Sequence, residues 1–351
     1  MEHEQAISDD ELAGRAQRAL DQHFGAPPPQ LLNNSHPVGD NVVFNYWWLA
    51  HVLDVRLDAY ERTGDQQWLD AAIATYRNIL ERNGGSPFND YFDDMLWYAL
   101  ATLRLHRATG EPAYRDAAAA IWRHVIEHGW NDHLGPSLAW RKQQLDYKNT
   151  PANGPLVILS CRLADLLDDQ PYLDYARRSF AWLTETLVDP VTGFVEDGIN
   201  REQDGRIDTQ WRFTYNQGLY VGAAVELART ADDPDALIKT GTRTAVTAID
   251  ALAPDGVFPD EGDGDAGLFK GIFYRYLGLL LERLGDGSAE ATRLRRFVIG
   301  STDALIESTD GGTRLAGNDW RTPLAGKIKY STQLSAIMAL ELRARREAKA
   351  G

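Results

Sequence analysis

The chain has 351 residues, 44% of them hydrophobic and 25% charged, the profile of a soluble globular protein with ample material for a core. A net charge of −15 excludes the basic face that nucleic acid or an anionic membrane needs, and no apolar run approaches the roughly 20 residues of a membrane span. One cysteine, Cys161, excludes an intramolecular disulfide, while ten Trp and fourteen Tyr supply rings that stack on sugar faces or fill a core.

From the N-terminus, MEHEQAISDDELAG is acidic and has neither a basic n-region nor an apolar stretch. No signal peptide is read there, and the expected compartment is the cytoplasm. Residues 1–40, with their prolines around Pro27–Pro29, read as a lead-in segment. Helical periodicity then dominates, with apolar residues recurring at three- and four-residue spacing over 44–63, 68–82, 95–108, 113–128, 154–167, 172–187, 215–230, 236–251, 268–284, 289–306 and 329–347. Few strands are convincing. A faint repeat, GDQQWLDAA, GEPAYRDAA, DDQPYLDYA and more weakly DDPDALIKT, opens every second helix at irregular intervals. That pattern fits helical hairpins with variable loops rather than a solenoid. With no linker-like stretch, a single all-α domain over residues 41–345 is expected, its hairpins closed into a toroid.

Two adjacent carboxylates, Asp93 and Asp94, stand where a helix begins, after a polar loop. Glycoside hydrolysis needs one carboxylic acid and one carboxylate, and like charges held close keep one of them protonated near neutral pH. N-capping and the helix dipole are the plainer reasons for aspartates at that position. Other polar and aromatic groups gather at helix starts or the loops before them: Trp140-Arg141-Lys142, Tyr147-Lys148-Asn149 with Asn153, Glu196-Asp197-Gly198, Tyr215-Asn216-Gln217 and Phe269-Lys270-Gly271. A toroid of hairpins would bring several of these to one mouth.

The segments YWWLAHVLDVRLDAYERTGD, YFDDMLWYALA, YKNTPANGP, VEDGI, FTYNQGLYVGA and FKGIFYRYL, in this order, resemble the pattern of glycoside hydrolase family 76, the bacterial and fungal endo-α-1,6-mannanases. The resemblance runs from about residue 40 to about residue 340. It implies an (α/α)6 toroid, an oligosaccharide or polysaccharide substrate cut at α-1,6-mannosidic bonds with retention, and no metal or other cofactor. By position in the Asp-Asp motif it implies Asp93 as nucleophile and Asp94 as acid/base. The candidate substrate-binding residues are Trp47, Tyr91, Trp140, Lys148, Asn149, Asn153, Asp197, Tyr215, Asn216, Gln217 and Lys270. The chain departs from the family at Gly135-Pro136-Ser137-Leu138-Ala139, where a Gly-rich loop is usual, and in lacking a secretion signal.

Three other patterns have plainer explanations. His124-Val125-Ile126-Glu127-His128 matches an inverted zincin, yet it closes an Ala-rich helix whose dipole favours histidine. The acidic run Asp260–Asp265 lacks the distal glutamate of a calcium loop, Ile272 standing in its place, and reads as a solvated turn. Gly218 and Gly222 have the spacing of a close helix contact. Two enzyme alternatives are an exo-acting α-glycosidase on another α-linked oligosaccharide and a histidine-dependent sugar epimerase or isomerase on the same toroid. All eight histidines lie at or before residue 133, which disfavours the latter. A non-catalytic glycan-binding protein would keep the rings but gain nothing from paired carboxylates.

Overall fold

The computed structural model describes residues 7–39, 41–285, 287–309 and 314–350, with side chains to residue 345. Two kinds of helix alternate. The first kind is apolar nearly all round, as in TYNQGLYVGAAVEL, where a helix must be covered on every side. The second is amphipathic, with one stripe buried and one face in water. The fully covered helices α2 (Tyr46–Thr63), α4 (Phe92–Thr109), α6 (Thr150–Leu167), α8 (Thr214–Leu227), α10 (Phe269–Leu284) and α12 (Tyr330–Ala350) pack side by side, and α12 returns to α2 to close a ring. Around them lie α3 (Gln66–Arg82), α5 (Pro112–Gly129), α7 (Gln170–Thr186), α9 (Pro234–Leu252) and α11 (Ala289–Ser308). The outer partner of α12 is α1 (Asp9–Phe24). The result is the (α/α)6 toroid.

α1 lies inside the segment expected to be a lead-in. Ser8 caps it by accepting from the Glu11 N–H, and its Ala13, Ala16, Leu20 and Phe24 belong to the main core. The spacing of those apolar residues is helical, but small alanines and a Pro-rich sequel mask it.

The weak repeat marks one recurring joint. Each copy covers the tight turn from an inner helix to its outer partner, at Gly64, Gly110, Asp168 and Asp233. Gly64 and Gly110 end α2 and α4 with left-handed φ of 68° and 75°, a conformation that glycine adopts without a Cβ clash. Gly218 meets the expectation of close contact: a Cβ there would lie 2.6 Å from the Phe273 Cα on α10.

Strands are more extensive than the sequence reading allowed. β1 (Ser35–His36) pairs with β6 (Ile328–Lys329). β2 (Trp130–Asn131), β3 (Ser137–Arg141), β4 (Gln144–Asn149) and β5 (Gly198–Ile199) form one antiparallel sheet. The stretch from Trp140 to Asn149, read as a loop, is therefore mostly the β3–β4 hairpin, with Ala139 opposite Lys148. A register shift between Ala139 and Arg141 breaks the alternation that would have announced it.

Among the described residues, no helix is long and apolar enough to cross a membrane.

One buried group makes the fold acid-sensitive. His51, on α2, sits between the Trp47 and Trp97 rings, and neither ring nitrogen has a hydrogen-bond partner. Burial, partly opposed by the charge of Asp54, pulls its pKa down to about 3. In the unfolded chain it takes a proton near pH 6.5, so the unfolded state gains protons first as pH falls. The stability carried by neutral His51 is complete above pH 6.5 and is lost between there and about pH 3. Between pH 7 and pH 5 this amounts to about 2 kcal/mol. His51→Gln cannot titrate, and its unfolding free energy should fall by about that much less over the same interval in paired denaturant titrations. Equal losses in the two proteins would rule the explanation out.

Candidate active site

All six inner helices begin at the same end of the ring, and the polar residues at their N-termini meet there. At the start of α4, Asp93 and Asp94 occupy the first turn. The backbone N–H of Asp94 donates to Asp93 Oδ1 at 3.0 Å, and the Trp140 indole donates to Asp93 Oδ2 at 3.1 Å. Asp94 accepts a single longer bond, 3.2 Å, from the Asn89 amide. Burial raises the pKa of both carboxyls. For Asp93 the Asp94 N–H and the Trp140 indole oppose the rise, whereas for Asp94 the charges of Asp93 and Asp265 add to it and carry it well above the carboxylate range. The pair is therefore asymmetric: Asp93, which accepts two hydrogen bonds and is pushed up only to about 7, is the easier of the two to ionise, and Asp94 favours the acid.

Around the pair stand half-buried rings. Tyr91 and Trp140 meet edge to face at 5.4 Å, with the Arg141 guanidinium 4.4 Å from the Trp140 ring centroid. Trp47 lies on the α2 side and Tyr215 on the α8 side, the latter stacked on Phe269 at 3.9 Å. Asp265 closes this side. Its Oδ1 accepts from the indole N–H groups of Trp47 at 3.0 Å and Trp48 at 2.7 Å. The acidic run that holds it is not simply solvated, since Glu261 also turns inward and accepts from the Thr214 N–H and hydroxyl, each at 2.7 Å. These bonds cap α8.

Residues 20–349 match the profile of glycosyl hydrolase family 76. The chain belongs to that family. It is 44% identical to the Lin0763 protein of Listeria innocua, with a TM-score of 0.93 over 98% of this chain and 99% of that one. The α-1,6-mannanase of Salegentibacter sp. HEL1_6 is also similar. An inactive variant of it, with two consecutive aspartates changed to alanine, is solved with α-1,6-mannotetraose. That structure is 32% identical, with a TM-score of 0.91 over 97% of this chain and 99% of that one. Among curated proteins, the mannan endo-1,6-α-mannosidase DCW1 of Saccharomyces cerevisiae is 26% identical over 223 residues. That match takes in 59% of this chain and 48% of the yeast protein, so the chain spans about half the length of this relative.

Seven of the expected substrate-binding residues of this family member are buried and committed to the scaffold. Lys148 is fully buried under β3, its ammonium donating to the carbonyls of Asn131 and Ser137 at 2.9 and 2.7 Å, and burial pulls its pKa down to about 7. Asn149 caps α6 through Ala152 N–H, and Asn153 ties β3 to α6 by bonding both backbone groups of Leu138. Gln217 does the same with Val195. Lys270 donates to the Asn318 carbonyl. Asp197 is a hub, accepting from Tyr147, Arg201, Tyr215 and Asn216, and Asn216 is its fully buried partner at 2.9 Å. Trp47, Tyr91, Trp140 and Tyr215 remain half-buried at the mouth.

Asn89, Arg201, Asp208 and Asp265 were not among the expected residues, although all support the mouth. Asn89 precedes the Asp-Asp pair by only a few residues and was legible as part of that loop. Asp265 is brought in from far along the chain, and the acidic run that holds it reads locally as a solvated turn.

The zincin-like histidines serve packing: His124 stacks between Phe88 and His128 at 4.0 and 4.2 Å. Among the described residues, no group of three or more His, Cys, Asp or Glu side chains is placed to hold a metal ion. A cavity of about 300 Å³ between α10 and α12 is lined by Asp58, Arg275, Glu341 and Arg345. These charges already pair with one another or with neighbouring helices.

Proposed function

We propose that this chain is a retaining glycoside hydrolase that cleaves α-1,6-mannosidic linkages in mannan or mannooligosaccharides, with Asp93 as nucleophile and Asp94 as acid/base. The observation that carries the reading is the asymmetric Asp93–Asp94 pair in a half-buried, ring-lined mouth. The inactive double-aspartate variant of the Salegentibacter mannanase and its mannotetraose complex support it.

In the first step Asp93 attacks the anomeric carbon from the β face while the bond to the glycosidic oxygen breaks. Asp94 passes its proton to that oxygen, so the part of the chain on the reducing-end side leaves as a neutral alcohol. The hydrogen bonds from Trp140 and the Asp94 N–H oppose the effect of burial on Asp93, favouring its anion, and aim it before attack. In the second step Asp94, now ionised, takes a proton from water. The water oxygen attacks the anomeric carbon from the α face and Asp93 departs as a carboxylate. Two displacements restore the α configuration.

The first product should therefore be the α-anomer, read from anomeric proton NMR signals before mutarotation sets in. A β-anomer as first product would mean single displacement by water and would remove Asp93 from the nucleophile's role.

A further inference from the structure

The rings at the mouth continue outward. Tyr215, beside the catalytic pair, meets Phe213 edge-on at 6.1 Å, and Phe213 meets Trp211 edge-on at 5.9 Å. Exposure rises along this row, from half-buried Tyr215 and Phe213 to Trp211, which is 39% exposed. A second line of contacts reaches the same indole from below. Trp140, bonded to Asp93, meets Tyr147 at 5.6 Å. Tyr147 lies 4.6 Å from the Arg201 guanidinium, and that guanidinium lies 4.1 Å from the Trp211 ring.

Arg201 has little freedom to move. It pairs with Asp197 at 2.6 Å and Asp208 at 3.0 Å, both buried, and donates to the Tyr147 hydroxyl. The Trp211 backbone N–H donates to the Asp208 carbonyl at 3.1 Å, and the Asp208 backbone N–H to the Gly198 carbonyl at 2.8 Å. The loop is thereby folded on itself and tied to β5, and it runs on into α8 at Thr214. One face of the indole rests on a clamped cation, an arrangement that orients the ring while leaving it accessible. A tryptophan that only filled the core would be covered.

We propose that Trp211 is a stacking platform for a hexopyranose unit of the substrate chain, remote from the bond being cut. The proposal rests on the α-1,6-mannan reading of the same mouth. Because the platform is held by its neighbours before substrate arrives, little ordering is needed on binding. Interaction with a remote sugar raises kcat/KM for chains long enough to reach it.

The test compares kcat/KM for α-1,6-mannohexaose and α-1,6-mannotriose in the wild type, Trp211→Ala and Trp211→Phe. The hexaose-to-triose ratio should fall about 10-fold in Trp211→Ala and recover most of that in Trp211→Phe, which keeps a ring. An unchanged ratio in a Trp211→Ala protein with wild-type thermal midpoint overturns the platform. So does an equal loss on both sugars, which marks a structural role. A wild type that cuts neither sugar but cleaves another α-linked hexose chain sinks the mannan reading instead, and the same long-to-short ratio on that chain then decides the platform.

Discussion

Asp93→Asn is expected to lower turnover of α-1,6-mannooligosaccharides by more than about 10⁴-fold, and Asp94→Asn by about 10²–10⁴-fold. Each amide is nearly isosteric with the carboxylate it replaces, and its carbonyl oxygen still accepts from Trp140 or Asn89, so the fold is retained. The two losses have different origins. An amide at 93 cannot form the glycosyl ester, whatever the leaving group. An amide at 94 cannot protonate the glycosidic oxygen, which matters less when the departing group is already a good one. An activated aryl α-mannoside should therefore restore glycosylation in Asp94→Asn, seen as a burst of aryl alcohol, and leave Asp93→Asn inert. Near-wild-type turnover of the natural oligosaccharide by either variant would remove that residue from the mechanism, and reversed behaviour on the aryl substrate would exchange the roles.

The second large effect lies away from the mouth, further along the inner helices. Asp58 on α2 is almost fully buried and receives Arg104 from α4 at 2.9 Å, Arg275 from α10 at 2.7 Å and Arg345 from α12. Burial alone would raise its pKa, but these three guanidinium groups together hold the carboxyl well below the usual range. Asp54 shares two of them, Arg104 and Arg275. Asp58→Ala leaves buried cations short of a counter-ion and should destabilise the fold by about 3–5 kcal/mol. At roughly 2–4 °C per kcal/mol for a large domain, the thermal midpoint should drop on the order of 10 °C. Asp250→Ala, which removes the exposed partner of Arg293, should cost less than about 1 kcal/mol. A calorimetric scan in which the two variants lose the same amount would show that the buried cluster is not a stabilising knot.

The inner helices were legible in the sequence because a helix with no polar face has to be covered on every side. α1 was not, since its buried stripe is built largely on alanine. The position of the site was legible for a related reason: polar residues at the starts of apolar helices converge once those helices stand parallel. What pattern alone could not separate was residues that face substrate from residues that hold the backbone. Asn149, Asn153 and Gln217 are the side-chain types that bind sugar hydroxyls, and all three are used up by backbone groups of β3, α6 and Val195. Asp265 and the Arg201–Trp211 stack depend on loops whose course only the assembled ring defines.

Five of the six hairpins join helices that are neighbours in the chain, but the sixth pairs α12 with α1. Phe24, ending α1, meets Tyr330, opening α12, at 6.3 Å, and Arg343 near the far end of α12 binds Asp9 at 2.7 Å. On a ribosome, α1 emerges before the other helices of the ring and waits for a partner made after all of them. Until then α2 and α10 carry apolar flanks with nothing against them, so every intermediate short of α12 is an open arc with two sticky edges. The ring is locked only when the last of its own twelve helices is made, and the folding chain's exposure to aggregation is set by how long that arc stays open.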